Sequence, residues 1–136
     1  MTLEKLIQFV DLFTKQGSVH PIMVTGTWGE GIGVEDEGVE LIESLSSDDW
    51  RALSEKIRDK SNIWVECLLE LLGYVDTLDS RRMLIEIALT GTDENFLDAM
   101  DCIRDFEEYV PSDILKKLKK RSSIVLRRRL GFKPLV

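Results

Sequence analysis

The sequence predicts a mostly all-α protein, an irregular antiparallel helical bundle, on three observations. Apolar residues recur three and four positions apart in segment after segment, the spacing that gives an α-helix one buried face. Serine, threonine or aspartate precedes several of these segments, and glycine or proline punctuates the breaks between them. Extended character is confined to His20-Pro21-Ile22-Met23-Val24-Thr25, which a run of glycines then interrupts.

Leu3, Leu6, Ile7, Val10 and Phe13 place an amphipathic helix over 3–16, with Thr2 as its N-cap and Gly17 as its stop. Residues 18–37 read as a loop, with or without a short hairpin, because Gly26, Gly29, Gly31 and Gly33 break any regular element. A brief helix follows over 39–45. Ser46-Ser47-Asp48-Asp49 is a Ser-x-x-Asp relative of the capping box, set ahead of Trp50, Leu53 and Ile57. Residues 62–75 are apolar on most sides, which predicts a central buried helix, and Trp50 and Trp64 fall at packing positions. In 81–90, Met83, Leu84, Ile87 and Ala88 share a face, and Gly91 stops the helix. Thr92 or Asp93 caps the next one, which is expected to run to about Glu108 with Phe96, Ala99, Met100, Ile103 and Phe106 inward. Pro111-Ser112-Asp113 opens a last basic helix to about Leu130, with Ser122-Ser123 as its weak point and Ile114, Leu115, Leu118, Val125, Leu126 and Leu130 as its apolar side. The short connections imply antiparallel neighbours. At 136 residues a single domain, 1–136, is expected: an N-terminal helix and acidic loop region to 45, a helical core over 46–111 and the basic helix over 112–136.

The formal net charge of −7 is a remainder. Residues 112–136 hold nine lysines and arginines against Asp113 alone, a net +8, so residues 1–111 carry −15. Such a body repels the polyanion its tail would attract, and no aromatic residue interleaves with the tail's bases to stack on nucleotides. Nucleic acid is therefore not the expected partner, and a basic helix docked on an acidic body is the simpler account. There is no basic start leading into an apolar run, and no apolar stretch long enough to span a bilayer, so a cytoplasmic protein without a membrane partner is expected. Cys67 and Cys102 sit far apart among apolar residues, as reduced buried thiols do.

Catalytic chemistry finds little to work with. His20 is the one histidine, Glu35-Asp36-Glu37 lacks the ligand spacing of a calcium loop, and the glycine-rich run from Thr25 to Gly33 lacks the Gly-Lys-Ser/Thr ending of a phosphate cradle. No enzyme, metal or cofactor is expected. The acids, by contrast, are concentrated. Glu94, Asp98, Asp101, Asp105 and Glu108 succeed one another at spacings of four and three, a single stripe if the helix runs unbroken. Neighbours of like charge at those spacings repel by about 0.2–0.5 kcal/mol each. The stripe either tolerates its repulsion, is neutralised by the chain's own basic helix, or complements a cationic partner. A second cluster comprises Glu30, Glu35, Asp36, Glu37, Glu40, Glu43, Asp48 and Asp49, with no lysine or arginine between Lys15 and Arg51. Trp28 stands at its edge, a large aromatic of the kind that anchors interfaces.

Leu84, Ile87, Ala88, Gly91, then Asp93-Glu94-Asn95-Phe96 and Ala99, Met100, Ile103 make residues 62–108 resemble HEAT or armadillo-like helical repeats. With Trp50-Arg51-Ala52-Leu53 and the stretch from Ile63-Trp64-Val65-Glu66 to Leu72, the chain resembles small helical immunity proteins of contact-dependent inhibition and other polymorphic toxin systems. The resemblance implies a HEAT-like fold and a cognate toxin as partner, commonly a basic nuclease whose active site or substrate groove is covered. Trp28, Glu30, Glu35, Asp36, Glu37, Glu40, Glu94, Asp98, Asp101, Asp105 and Glu108 are the candidate toxin-binding residues. A helical adaptor for another protein is the alternative, with a nucleic-acid-binding regulator acting through the basic helix behind it.

Overall fold

The computed structural model describes residues 2–14 and 34–129. Helix accounts for 87% of them, in seven α-helices and two 3₁₀ segments, and no strand occurs among them, so the all-α expectation holds. Packing divides the chain into two compact units, Met1–Met83 and Leu84–Val136, with the division inside the fifth helix.

In the first unit α1 (Thr2–Thr14) touches α2 (Val34–Glu43), α3 (Ser47–Lys56) and α4 (Asn62–Leu72), and α2 also lies on α4. The helical spacing of α1 buries Leu3, Leu6, Phe9 and Val10. α4 buries seven of its eleven residues, including Trp64, Cys67, Leu68 and Leu72, as its nearly unbroken apolar sequence predicts. Burial of each large apolar side chain stabilises the fold by about 1.5–3 kcal/mol. α1 and α4 are also tied by polar contacts. The Trp64 indole Nε1 donates to Asp11 Oδ1 at 2.8 Å, and Lys60 Nζ lies 3.9 Å from the same carboxylate and 5.1 Å from the Trp64 ring centre.

Local caps set several boundaries. Ser46 Oγ accepts from Asp49 N while Asp49 Oδ2 accepts from Ser46 N, completing the capping box of α3. After a 3₁₀ turn over Ile57–Asp59, Ser61 Oγ accepts from Trp64 N and starts α4. Helix α5 (Leu78–Thr90) begins three residues earlier than its apolar face suggests. Thr77 and Ser80 cap each other reciprocally there, and the buried Ser80 hydroxyl also donates to Val75 O at 2.7 Å.

α2 corrects the sequence reading at one end of the expected loop. Of residues 18–37, those up to 33 lie outside the described residues, and 34–37 are helical rather than loop. Acids in a first helical turn favour the helix because they face the positive end of its dipole. Gly38, inside α2, sits where a Cβ would come within 2.6 Å of Leu71 Cδ2 and 2.9 Å of Phe9 Cε1. Its missing side chain lets α2 lie close to α1 and α4.

The second unit holds the C-terminal part of α5, then α6 (Asp93–Ile103), a 3₁₀ segment over Arg104–Tyr109 and α7 (Ser112–Arg129). Thr92 is the N-cap of α6, its Oγ1 accepting from Asn95 N. The helix expected to reach Glu108 stops at Ile103, and the chain tightens into 3₁₀ geometry with Phe106 at φ −131°, ψ 23°. α7 runs through Ser122-Ser123 without a break. Leu118 and Val125, seven residues apart, are buried, whereas Leu126, one position further round, is 49% exposed and not part of the apolar side.

Candidate functional site

The two acidic regions have different surroundings. On α2, Gly38 and Ile42 face inward, and Glu37, Glu40 and Glu43 are all exposed. At three-residue spacing they occupy one broad side of the helix. None of the three forms an ion pair among the described residues, and the last turn of α2 contains no basic residue. Like-charge neighbours Glu37–Glu40 and Glu40–Glu43 cost about 0.2–0.5 kcal/mol each, and Glu43 also opposes the negative end of the helix dipole. Glu35 and Asp36 belong to the first turn of α2, but their side chains, like Trp28 and Glu30 altogether, lie outside the described residues.

On α6 the acids are partly answered from within the same unit. Arg128 holds Asp93 in a fork, Nε to Oδ2 at 2.8 Å and Nη2 to Oδ1 at 2.8 Å, and Arg121 Nη2 lies 3.7 Å from Asp93 Oδ1. Asp98 is half-buried, and its carboxyl is pushed above the ordinary value, first by burial and then by Asp101; Arg129 pulls the other way. Asp101 is exposed and accepts from Arg104 Nη1 at 2.8 Å. Glu94, Asp105 and Glu108 are exposed without an ion pair among the described residues. Because the α-helix ends at Ile103, Asp105 and Glu108 do not continue an α-helical line through Glu94, Asp98 and Asp101.

Arg121 is the residue that organises this second unit, and its role was not read from the sequence. Its Nη1 donates to Ala88 O at 2.8 Å and its Nη2 to Gly91 O, so one guanidinium satisfies carbonyls that the end of α5 leaves unpaired. The same group lies 5.1 Å from the Phe96 ring centre, a cation–π contact with the first turns of α6. Gly91 belongs to this junction, since a Cβ there would come within 2.7 Å of Ile87 O. A cation near a helix C-terminus is a recognised preference, but the arginine comes from 30 residues away.

No family model matches this chain, and no curated protein or solved structure matches it.

The chemistry of the surface is therefore argued from its own groups. Among the described residues no three His, Cys, Asp or Glu side chains are grouped to hold a metal ion, and no helix is long and apolar enough to cross a membrane. The Cys67 thiol is pushed up to about 11 by burial and by Glu66 and Glu70, which keeps it protonated and poorly nucleophilic at neutral pH. What the exposed surface offers is charge. An acidic side is carried by α2, and a helix with one neutralised and one free basic flank is carried by α7.

Proposed function

We propose that the protein is a stoichiometric inhibitor that binds and neutralises a cationic toxin domain, in the manner of an immunity protein for a basic nuclease. The observation that carries this reading is the α2 face, where Glu37, Glu40 and Glu43 stand exposed with no cation paired to them among the described residues. Helix stability alone would favour mixed signs there, so a complementary cationic surface relieves repulsion that the folded chain leaves in place. Glu30, Glu35 and Asp36 extend the same run of chain, and Trp28 supplies an aromatic anchor beside it. In this mechanism the acids raise the association rate by steering, and Trp28 lengthens the lifetime through desolvated contact. On the toxin, the carboxylates take the places of nucleic-acid phosphates.

The partial neutralisation of α6 favours α2 as the primary contact in this reading. Reversing Asp98, Asp101 and Asp105 would disturb a half-buried group, whereas Glu37, Glu40 and Glu43 can be reversed on an exposed face. Co-expression with the product of the adjacent reading frame is the decisive experiment. Rescue of growth by this chain is expected, together with its loss in Glu37→Lys/Glu40→Lys/Glu43→Lys at unchanged thermal stability. Absence of any rescue, or rescue by the triple variant equal to that of the native chain, overturns the reading. An association rate that does not change between low and high salt removes the steering step.

A further inference from the structure

The second unit carries a charged surface that its own packing leaves unanswered. At about 100° per residue, Lys116, Lys120 and Arg127 fall within about 40° of one another on α7, roughly opposite the buried Leu118 and Val125. Lys117 and Lys119 flank them, and all five are exposed. Arg121 and Arg128, on another side of the helix, are the bases that engage Asp93. The five outward bases form no ion pair among the described residues, although Glu94, Asp105 and Glu108 are exposed in the same unit. Only part of the tail's charge is spent on the body, so although the −15 carried by residues 1–111 opposes a polyanion at long range, this face keeps its positive charge within a screening length of about 10 Å at 0.1 M salt.

We infer that this outward face of α7 binds the phosphate backbone of duplex nucleic acid without reading its sequence. The charge of the face calls for a polyanion, and released counterions supply a driving force that needs no buried anchor. An acidic protein would be held only by exposed ion pairs, which are individually weak, because Leu118 and Val125 on the apolar side of α7 are already buried. A lipid surface would need a continuous apolar wedge. The exposed apolar residues Ile124 and Leu126 instead lie on opposite flanks of the basic stripe. Unpaired bases would need aromatic platforms, and Ser112–Arg129 contains none. No Asn or Gln stands in α7 to read adenine edges. The inference is independent of the toxin reading, which rests on α2.

Fluorescence anisotropy of the full chain with a labelled mixed-sequence DNA duplex of about 20 base pairs tests it. Binding is expected at about 50 mM salt, with the logarithm of the association constant falling against that of salt at a slope between about −3 and −5, from about −0.9 per neutralised phosphate. Lys116→Glu/Lys120→Glu/Arg127→Glu should weaken binding at least about tenfold and flatten the slope by about 3, with an unchanged thermal melt. Lys116→Gln/Lys120→Gln/Arg127→Gln serves if the reversed variant does not fold. No duplex binding at low salt, equal binding by a folded variant, equal affinity for a single strand, or tighter binding to phosphatidylglycerol vesicles than to duplex would each overturn the assignment.

Discussion

Helix α2 contains five carboxylates, Glu35, Asp36, Glu37, Glu40 and Glu43, and helix α6 contains four, Asp93, Glu94, Asp98 and Asp101. On α6, Asp93 lies between two arginines of α7, Asp98 is half-buried with Arg129 acting on it, and Asp101 bonds Arg104. On α2, the described carboxylates look into solvent without an ion pair among the described residues. Acid density therefore does not by itself identify a binding surface. The same composition is tied into the fold where arginines of its own unit reach it and stays exposed where, among the described residues, no cation pairs with it.

Breaking the ties on the α6 side should give the largest effect. Arg121→Ala strips the end of α5 of its donors to Ala88 O and Gly91 O and removes a neighbour of Asp93. Hydrogen bonds from a charged donor contribute about 1.5–3 kcal/mol, so chemical denaturation should show a loss of that size. Breaking the α2 side works through packing instead. Gly38→Leu drives side-chain atoms into Leu71 and Phe9 and should cost about 1–3 kcal/mol, measured the same way, by forcing α2 off α1 and α4.

Neutralising the acids sharpens the contrast with opposite signs. Glu37→Gln/Glu40→Gln/Glu43→Gln should raise stability by about 0.5–1 kcal/mol at low salt, less at high salt, while abolishing inhibition of the toxin. A folded-state loss on that substitution would mean that α2 has a cation partner after all. On α6, Asp98→Asn should stabilise by about 0.2–0.5 kcal/mol at neutral pH, the size of one like-charge pair. The sign follows from the raised carboxyl of Asp98. Between the ordinary value of 3.8 and the higher folded value the native state binds the proton more tightly, so unfolding stability falls as pH rises through that window. The cost of the charge is fully present above it. The advantage of Asp98→Asn should accordingly shrink in urea titrations as pH is lowered toward 4, and a constant advantage would point away from this carboxyl.

Much of the helical layout was legible because its signals are local. Ser46 with Asp49 and Thr92 ahead of Asn95 mark helix starts within a single turn, and the apolar run of α4 announces its own burial. The start of α5 is equally local but carries a weaker signal, since Thr77 and Ser80 form a reciprocal cap that lacks the usual acidic partner. Gly38 and the end of α6 were not legible in that way. A glycine inside an acidic stretch looks like a break until Phe9 and Leu71 are seen beside it. The periodicity of Arg104–Tyr109 continues that of α6 even though Phe106 leaves helical geometry.

The candidate surface divides along the same line. From the amino acids alone come the all-α class, the main caps, the −15 body, the +8 tail and the two places where acids are concentrated. Which of those acids are already paired was decided by tertiary structure, because Asp93 meets Arg128 across 35 residues and Arg121 reaches Gly91 across 30. A helix repeats every few residues, so its pattern is written in neighbouring positions. A charge takes whatever partner the folded chain brings near, and sequence spacing does not record that distance.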